Sequence, residues 1–128
     1  MILDAAILIS IDRGERAAQA FLNAAVRQDW LLATTEPVIA QVWRQGSRQA
    51  RLAAFLNTID AAPLDDGREV GVLVAVSNSA NAVDAHLVAV ASRLQRPILT
   101  SDVGDFSQLC APLGARAPKI MEWPQSVQ

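Results

Sequence analysis

The sequence predicts a single α/β domain with a central, mainly parallel sheet of four or five strands covered by helices on both faces. Three observations predict it. Short apolar segments alternate with longer stretches of helical periodicity, the pattern of βαβ units. The length of 128 residues suits one domain with a sizeable core. No repeat, low-complexity segment or linker divides the chain, so residues 1–124 form the expected domain and 125–128 a tail.

Residues 1–4 read as a short buried strand, followed directly by an apolar run over 5–11 that Gly14 breaks. Residues 15–28 carry Ala17, Phe21, Ala24 and Ala25 at helical spacing. A second strand is expected at 30–33. Thr34 or Thr35 then caps a helix with Pro37 in its first turn, running to about Gln45 and stopping at Gly46-Ser47. Ser47 is the expected cap of a helix over 48–58, with Leu52, Phe55 and Leu56 inside. Residues 59–64 resemble a strand. Asp65 or Asp66 caps a helix burying Val70, Leu73 and Val74. Asn81 closes a loop and caps the next helix, whose Val83, Leu87, Val90, Ala91 and Leu94 form one stripe. A strand at 97–100, a polar turn over 101–105, a helix over 106–113 and a strand near 119–121 complete the reading.

Composition narrows the function. No apolar run approaches the roughly 20 residues of a membrane span, so no membrane role is expected. Met1-Ile-Leu-Asp4 reaches a carboxylate without a positive n-region, so no signal peptide is expected. Cys110 is the single cysteine, which fits a buried small hydrophobe in a reducing cytoplasm. The net charge of −2 offers no basic footprint for nucleic acid. A nuclease that gathers carboxylates to hold cations would mask such a footprint, so the total charge decides nothing. Of the 11 cations only Lys119 is a lysine; the rest are arginines, which fork onto phosphate.

Three acids fall where an open α/β sheet builds its sites, outside the carboxyl ends of its strands. Asp4 ends the first strand and Asp102 lies just past Leu99 at the end of a late one. Asp84 stands three residues after Asn81, in the first turn of an amphipathic helix. Hard cations such as Mg²⁺ and Mn²⁺ take carboxylate oxygens and water. Such a cation relieves repulsion among bunched carboxylates, lowers the pKa of a water and stabilises a leaving oxygen. Each acid also has a plain alternative: a favourable helix dipole for Asp84, turn chemistry for Asp102 and a helix cap for Asp105. Asp4 resists one, because an unpaired carboxylate between apolar runs is costly to bury.

Leu3-Asp4-Ala5, Val83-Asp84-Ala85-His86-Leu87 and Leu99-Thr100-Ser101-Asp102 with Asp105-Phe106 together resemble the PIN domain. The likeness is to the VapC-type toxins of bacterial toxin–antitoxin pairs, and Pro37-Val-Ile-Ala-Gln-Val-Trp-Arg44 is similar to their second motif region. It spans nearly the whole chain, in order. The resemblance implies a PIN-like α/β/α fold and an endoribonuclease using Mg²⁺ or Mn²⁺. It further implies metal ligands Asp4, Asp84 and Asp102, an auxiliary acid Asp105, a homodimer, and a small antitoxin that occludes the site. Thr100 falls in the same motif as an auxiliary residue. Two positions depart from the pattern. Gln41 stands where PIN domains usually carry Glu, with Glu36 in the same helix as a candidate substitute, and Ala6 replaces a usual Ser or Thr. A PIN-like module that binds RNA or protein with weakened catalysis is the alternative these departures imply.

The remaining candidates are weaker. His86 is two helical steps, about 200°, from Asp84 and is expected at the surface or a dimer contact. Arg44, Arg48 and Arg51 are candidate phosphate contacts, of which Arg48 and Arg51 should share a helix. Trp30, Trp43 and Trp123 are expected in core or dimer packing rather than on bases. A phosphotransfer domain would need a second acid beside Asp4, and Leu3-Asp4-Ala5-Ala6 has none.

Overall fold

In the computed structural model, which describes residues 1–124, five parallel strands lie in the order β3-β2-β1-β4-β5. They are β1 (Ile2–Leu3), β2 (Ala33–Thr35), β3 (Asp60–Ala62), β4 (Ile98–Thr100) and β5 (Ile120–Glu122). The helices are α1 (Ala5–Asp12), α2 (Arg16–Arg27), α3 (Glu36–Val42), α4 (Ala50–Leu56), α5 (Gly67–Ser77), α6 (Ala82–Leu94) and α7 (Val103–Cys110). Every residue of β1, β2 and β4 is buried. Successive strand residues point to opposite faces, so helices must cover both.

The chain leaves β1 toward β2 and β3, then returns to the other side of β1 for β4 and β5. The direction of winding therefore reverses between β1 and β4, and a crevice opens there beyond their carboxyl ends. The register Ile2↔Ile98 and Leu3↔Leu99 brings those two ends level. The bond from the Asp4 amide to the Leu99 carbonyl (3.1 Å) extends the pairing by one residue.

Several boundaries moved for physical reasons. Residues 30–32 are not strand: α2 ends in a turn at Asp29, whose φ is +54°, and pairing starts only where Ala33 meets Ile2. The third helix stops at Val42 rather than near Gln45. Trp43 is extended, and the buried Gln49 amide takes up the backbone groups freed by the break. Its Oε1 accepts from the amides of Arg44 and Gln45, and its Nε2 donates to the Val42 carbonyl. Ser47 caps nothing; it sits inside a 3₁₀ turn, Gly46–Arg48. Thr35 caps α3 by accepting from the Val38 amide.

The stripe expected on the sixth helix is too narrow. Asp84 to Ala91 are all buried, because α5, α7 and the sheet enclose α6 nearly all round, while Leu94 at its end is 43% exposed. His86, expected at the surface, is 0% exposed. Its face, opposite Asp84, is covered by the β3–α5 connection: Nε2 lies 3.1 Å from the Pro63 carbonyl and 3.6 Å from an Asp66 carboxylate oxygen. Trp30 and Trp123 pack on Phe21 as expected, but Trp43 is exposed, beside Gly46 where a Cβ would lie 2.8 Å from its ring. Cys110 is buried, and burial raises its thiol pKa. Among the described residues no single helix is long and apolar enough to cross a membrane.

Candidate functional site

Asp4 is the first residue beyond β1. Its own backbone is still extended, α1 begins at the next residue, and Asp4 stays only 6% exposed. The neighbouring strand meets it: the Thr100 hydroxyl donates to Asp4 Oδ2 at 2.7 Å. The same oxygen, Thr100 Oγ1, accepts from the Asp102 amide at 3.0 Å. One buried hydroxyl thus joins the ends of β1 and β4 and sets the turn into α7. Burial raises the Asp4 pKa, the bonds from Thr100 and the Ala5 amide lower it, and the Asp102 charge raises it again.

Asp84 arrives from a different element. Asn81 caps α6, its side-chain oxygen accepting from the Asp84 amide at 3.0 Å, so Asp84 occupies the third helical position that the sequence indicates. There the positive end of the helix dipole faces a carboxylate. Burial nevertheless pushes the Asp84 pKa up to about 7, with the charges of Asp4, Asp102 and Asp105 adding to it. These couplings bring the four acids together electrostatically. Asp102 and Asp105 are exposed, Asp102 as the residue before α7 and Asp105 in its first turn.

No cationic side chain enters this balance. The ion pairs among the described residues are those of Asp66 with His86 and Arg93. Nor is there a finished cage: among the described residues no three His, Cys, Asp or Glu side chains form a ready metal-binding group. Mg²⁺ generally takes only one or two protein carboxylates and keeps several waters. The all-oxygen donors, uncompensated and half-solvated, fit a hard cation held in that loose manner. They do not fit an enclosed all-protein site.

The auxiliary candidates separate. Thr100 is integral to the cluster. Glu36 and Gln41 are both exposed on α3, and neither perturbs Asp4 or Asp84. Arg44 folds back onto the carbonyls of Trp43 and Ala40. Arg48 and Arg51 do not share a helix, since Gln49 between them has a non-helical backbone. Arg51 lies over Gly14, where a Cβ would come within 2.9 Å of its Nε. None of the three arginines acts on the buried acids.

Beside Asp84 and Asp105 lies an open polar groove of about 660 Å³, walled by Asn78, Ser79, Asn81 and Gln108. Gln108 donates to the carbonyls of Ser77 and Asn78 at the end of α5. It steadies the loop that carries the Asn81 cap. Sequence reading missed it, although its spacing of three from Asp105 puts both on one helix face.

The architecture matches a chain of the crystal structure of VapBC2 from Rickettsia felis bound to a DNA fragment from their promoter. The TM-score is 0.71 at 13% identity, over 95% of this chain and 97% of that one. No family model matches the sequence, and neither does any curated protein. With a five-stranded parallel sheet reversing at β1 and β4, and this match across nearly its whole length, the chain has a PIN-like α/β fold.

Proposed function

We propose that this chain is a Mg²⁺- or Mn²⁺-dependent endoribonuclease, hydrolysing RNA phosphodiester bonds as the toxin of a VapBC-type pair. The observation that carries the reading is the set of four coupled carboxylates, Asp4, Asp84, Asp102 and Asp105, with no side-chain cation among them. Asp4, Asp84 and Asp102 would hold the cation. When bound, it supplies Lewis-acid charge and a water of lowered pKa.

The residues themselves supply placement. Thr100 fixes Oδ2 of Asp4 in place at the end of β1. Asn81 and Gln108 hold the start of α6, and with it Asp84. With its pKa near 7, Asp84 can hold a proton on its own carboxyl near neutral pH. Asp105, exposed beside the groove, is placed to attract and order water. The VapBC2 likeness supports a VapB-like antitoxin as partner; a homodimer and a cytoplasmic setting belong to the same proposal. Cleavage of RNA in Mn²⁺ that disappears on chelation and in Asp4→Ala is the expected result. Cleavage that survives Asp4→Ala would overturn the reading.

A second reading is favoured by one observation: Gln41 is exposed and uncharged, and Glu36, the acid of α3, does not join the cluster. On that reading the chain is a PIN-like binding module with weakened catalysis. Gln41→Glu separates the two. A large gain from near-zero cleavage favours the binding module, whereas robust cleavage unchanged by the substitution favours the enzyme.

A further inference from the structure

At the opposite, amino end of the sheet the charge is reversed. A cavity of about 430 Å³ lies between the end of α6 and the segment leading into β5. Arg96, Arg116 and Lys119 line it with Ser92 and Gln95, and no carboxylate contributes to its wall. None of the three cations forms an ion pair among the described residues.

The frame of this cavity is fixed by backbone bonds. The Ile2 amide donates to the Pro97 carbonyl, the Ile98 amide to the Lys119 carbonyl, and the Ser92 hydroxyl to the Arg116 carbonyl at 2.9 Å. The cations therefore project from a rigid edge. Burial and then the nearby Arg96 charge lower the pKa of the Met1 ammonium, so the field of Arg96 reaches the start of β1 as well as the cavity. In a chain of net charge −2, such clustering leaves an anion as the missing partner.

We propose that this cavity is a second, non-catalytic site that binds backbone phosphates of a nucleic acid. Two guanidiniums can fork onto phosphate oxygens while the ammonium acts as a point charge. A volume of about 430 Å³ accommodates a nucleotide unit, and Ser92 and Gln95 offer neutral polar groups at its edge. The site rests on the proposed function only in naming RNA as the nucleic acid. It would hold a part of the RNA distant from the bond that is cut, since the acids occupy the other end of the strands.

Arg116 and Lys119 are exposed, so Arg116→Gln/Lys119→Gln should fold normally. Binding of a fluorescent single-stranded RNA is measured by anisotropy across a salt series, with Asp4→Asn in both backgrounds to prevent cleavage. Losing two phosphate contacts should reduce the slope of log affinity against log salt by about 1.4, which weakens binding about tenfold at 0.15 M salt. Inorganic pyrophosphate should shift the amide resonances around Arg96 and Lys119 in the unsubstituted chain and not in the double variant. Unchanged affinity and slope would overturn the proposal, as would a polyglutamate peptide binding as tightly as RNA. Cleavage is scored separately on a tetranucleotide, which the double variant should cut normally. Failure of the unsubstituted chain to cut any RNA in Mn²⁺ would sink the nuclease reading while anisotropy still decides the phosphate site.

Discussion

Replacing Asp84 by Asn tests the electrostatic account of the acid cluster without reference to catalysis. The folded carboxyl has its pKa raised from 3.8 to about 7, so the folded state holds the proton more tightly than the unfolded chain. A raised carboxyl pKa favours the folded state at low pH, and that advantage is lost as pH climbs from the unfolded value through the folded one. That rise corresponds to roughly 4 kcal/mol when the loss is complete. Between pH 5 and pH 8 the metal-free protein should lose on the order of 2–3 kcal/mol through this group. Urea unfolding in EDTA at the two pH values measures it. Asp84→Asn removes the titrating charge and should flatten the profile, with the variant more stable than the parent at pH 8. Added Mn²⁺ should restore stability to the parent at pH 8 and do little for the variant. An unsubstituted chain equally stable at both pH values, or a variant with the same slope, would refute the reasoning.

Three other perturbations follow from particular contacts. Thr100→Val keeps the shape but removes the donor to Asp4 and the acceptor for the Asp102 amide; a loss of about 1–3 kcal/mol in urea unfolding is expected, with reduced Mn²⁺ affinity by calorimetry. Asn81→Ala removes the cap on Asp84 and should lower stability by about 1 kcal/mol, with a larger fractional fall in RNA cleavage than in melting temperature. Phe106→Ala empties the largest fully buried side chain, and thermal unfolding should register a loss of about 3–5 kcal/mol.

The acid cluster shows how far residue order alone reaches. Asn81 and Asp84 stand three apart, and a cap with a carboxylate at the third position is a local rule that holds in the structure. Strand-end acids at Asp4 and Asp102 were legible for the same reason, since a buried apolar run that stops at a carboxylate marks a strand terminus. Thr100 was placed by motif, but its bond to Asp4 joins positions 96 apart and depends on β1 and β4 being neighbours. Gln108 likewise acts across 31 residues on the end of α5.

The α/β class, the alternation of elements, the burial of Cys110 and the cap of α6 are legible from residue order, because these depend on periodicity, composition and contacts within one turn. Tertiary structure alone decided the rest. It buried His86, because the helix face opposite Asp84 meets the β3–α5 connection rather than solvent. It broke the third helix at Val42, because Gln49 satisfies the freed backbone groups. It also separated the charges, leaving acids at the carboxyl end of the sheet and, at the amino end, cations without an ion pair among the described residues. A net charge sums over residues without their positions, so no reading of composition could have shown that separation.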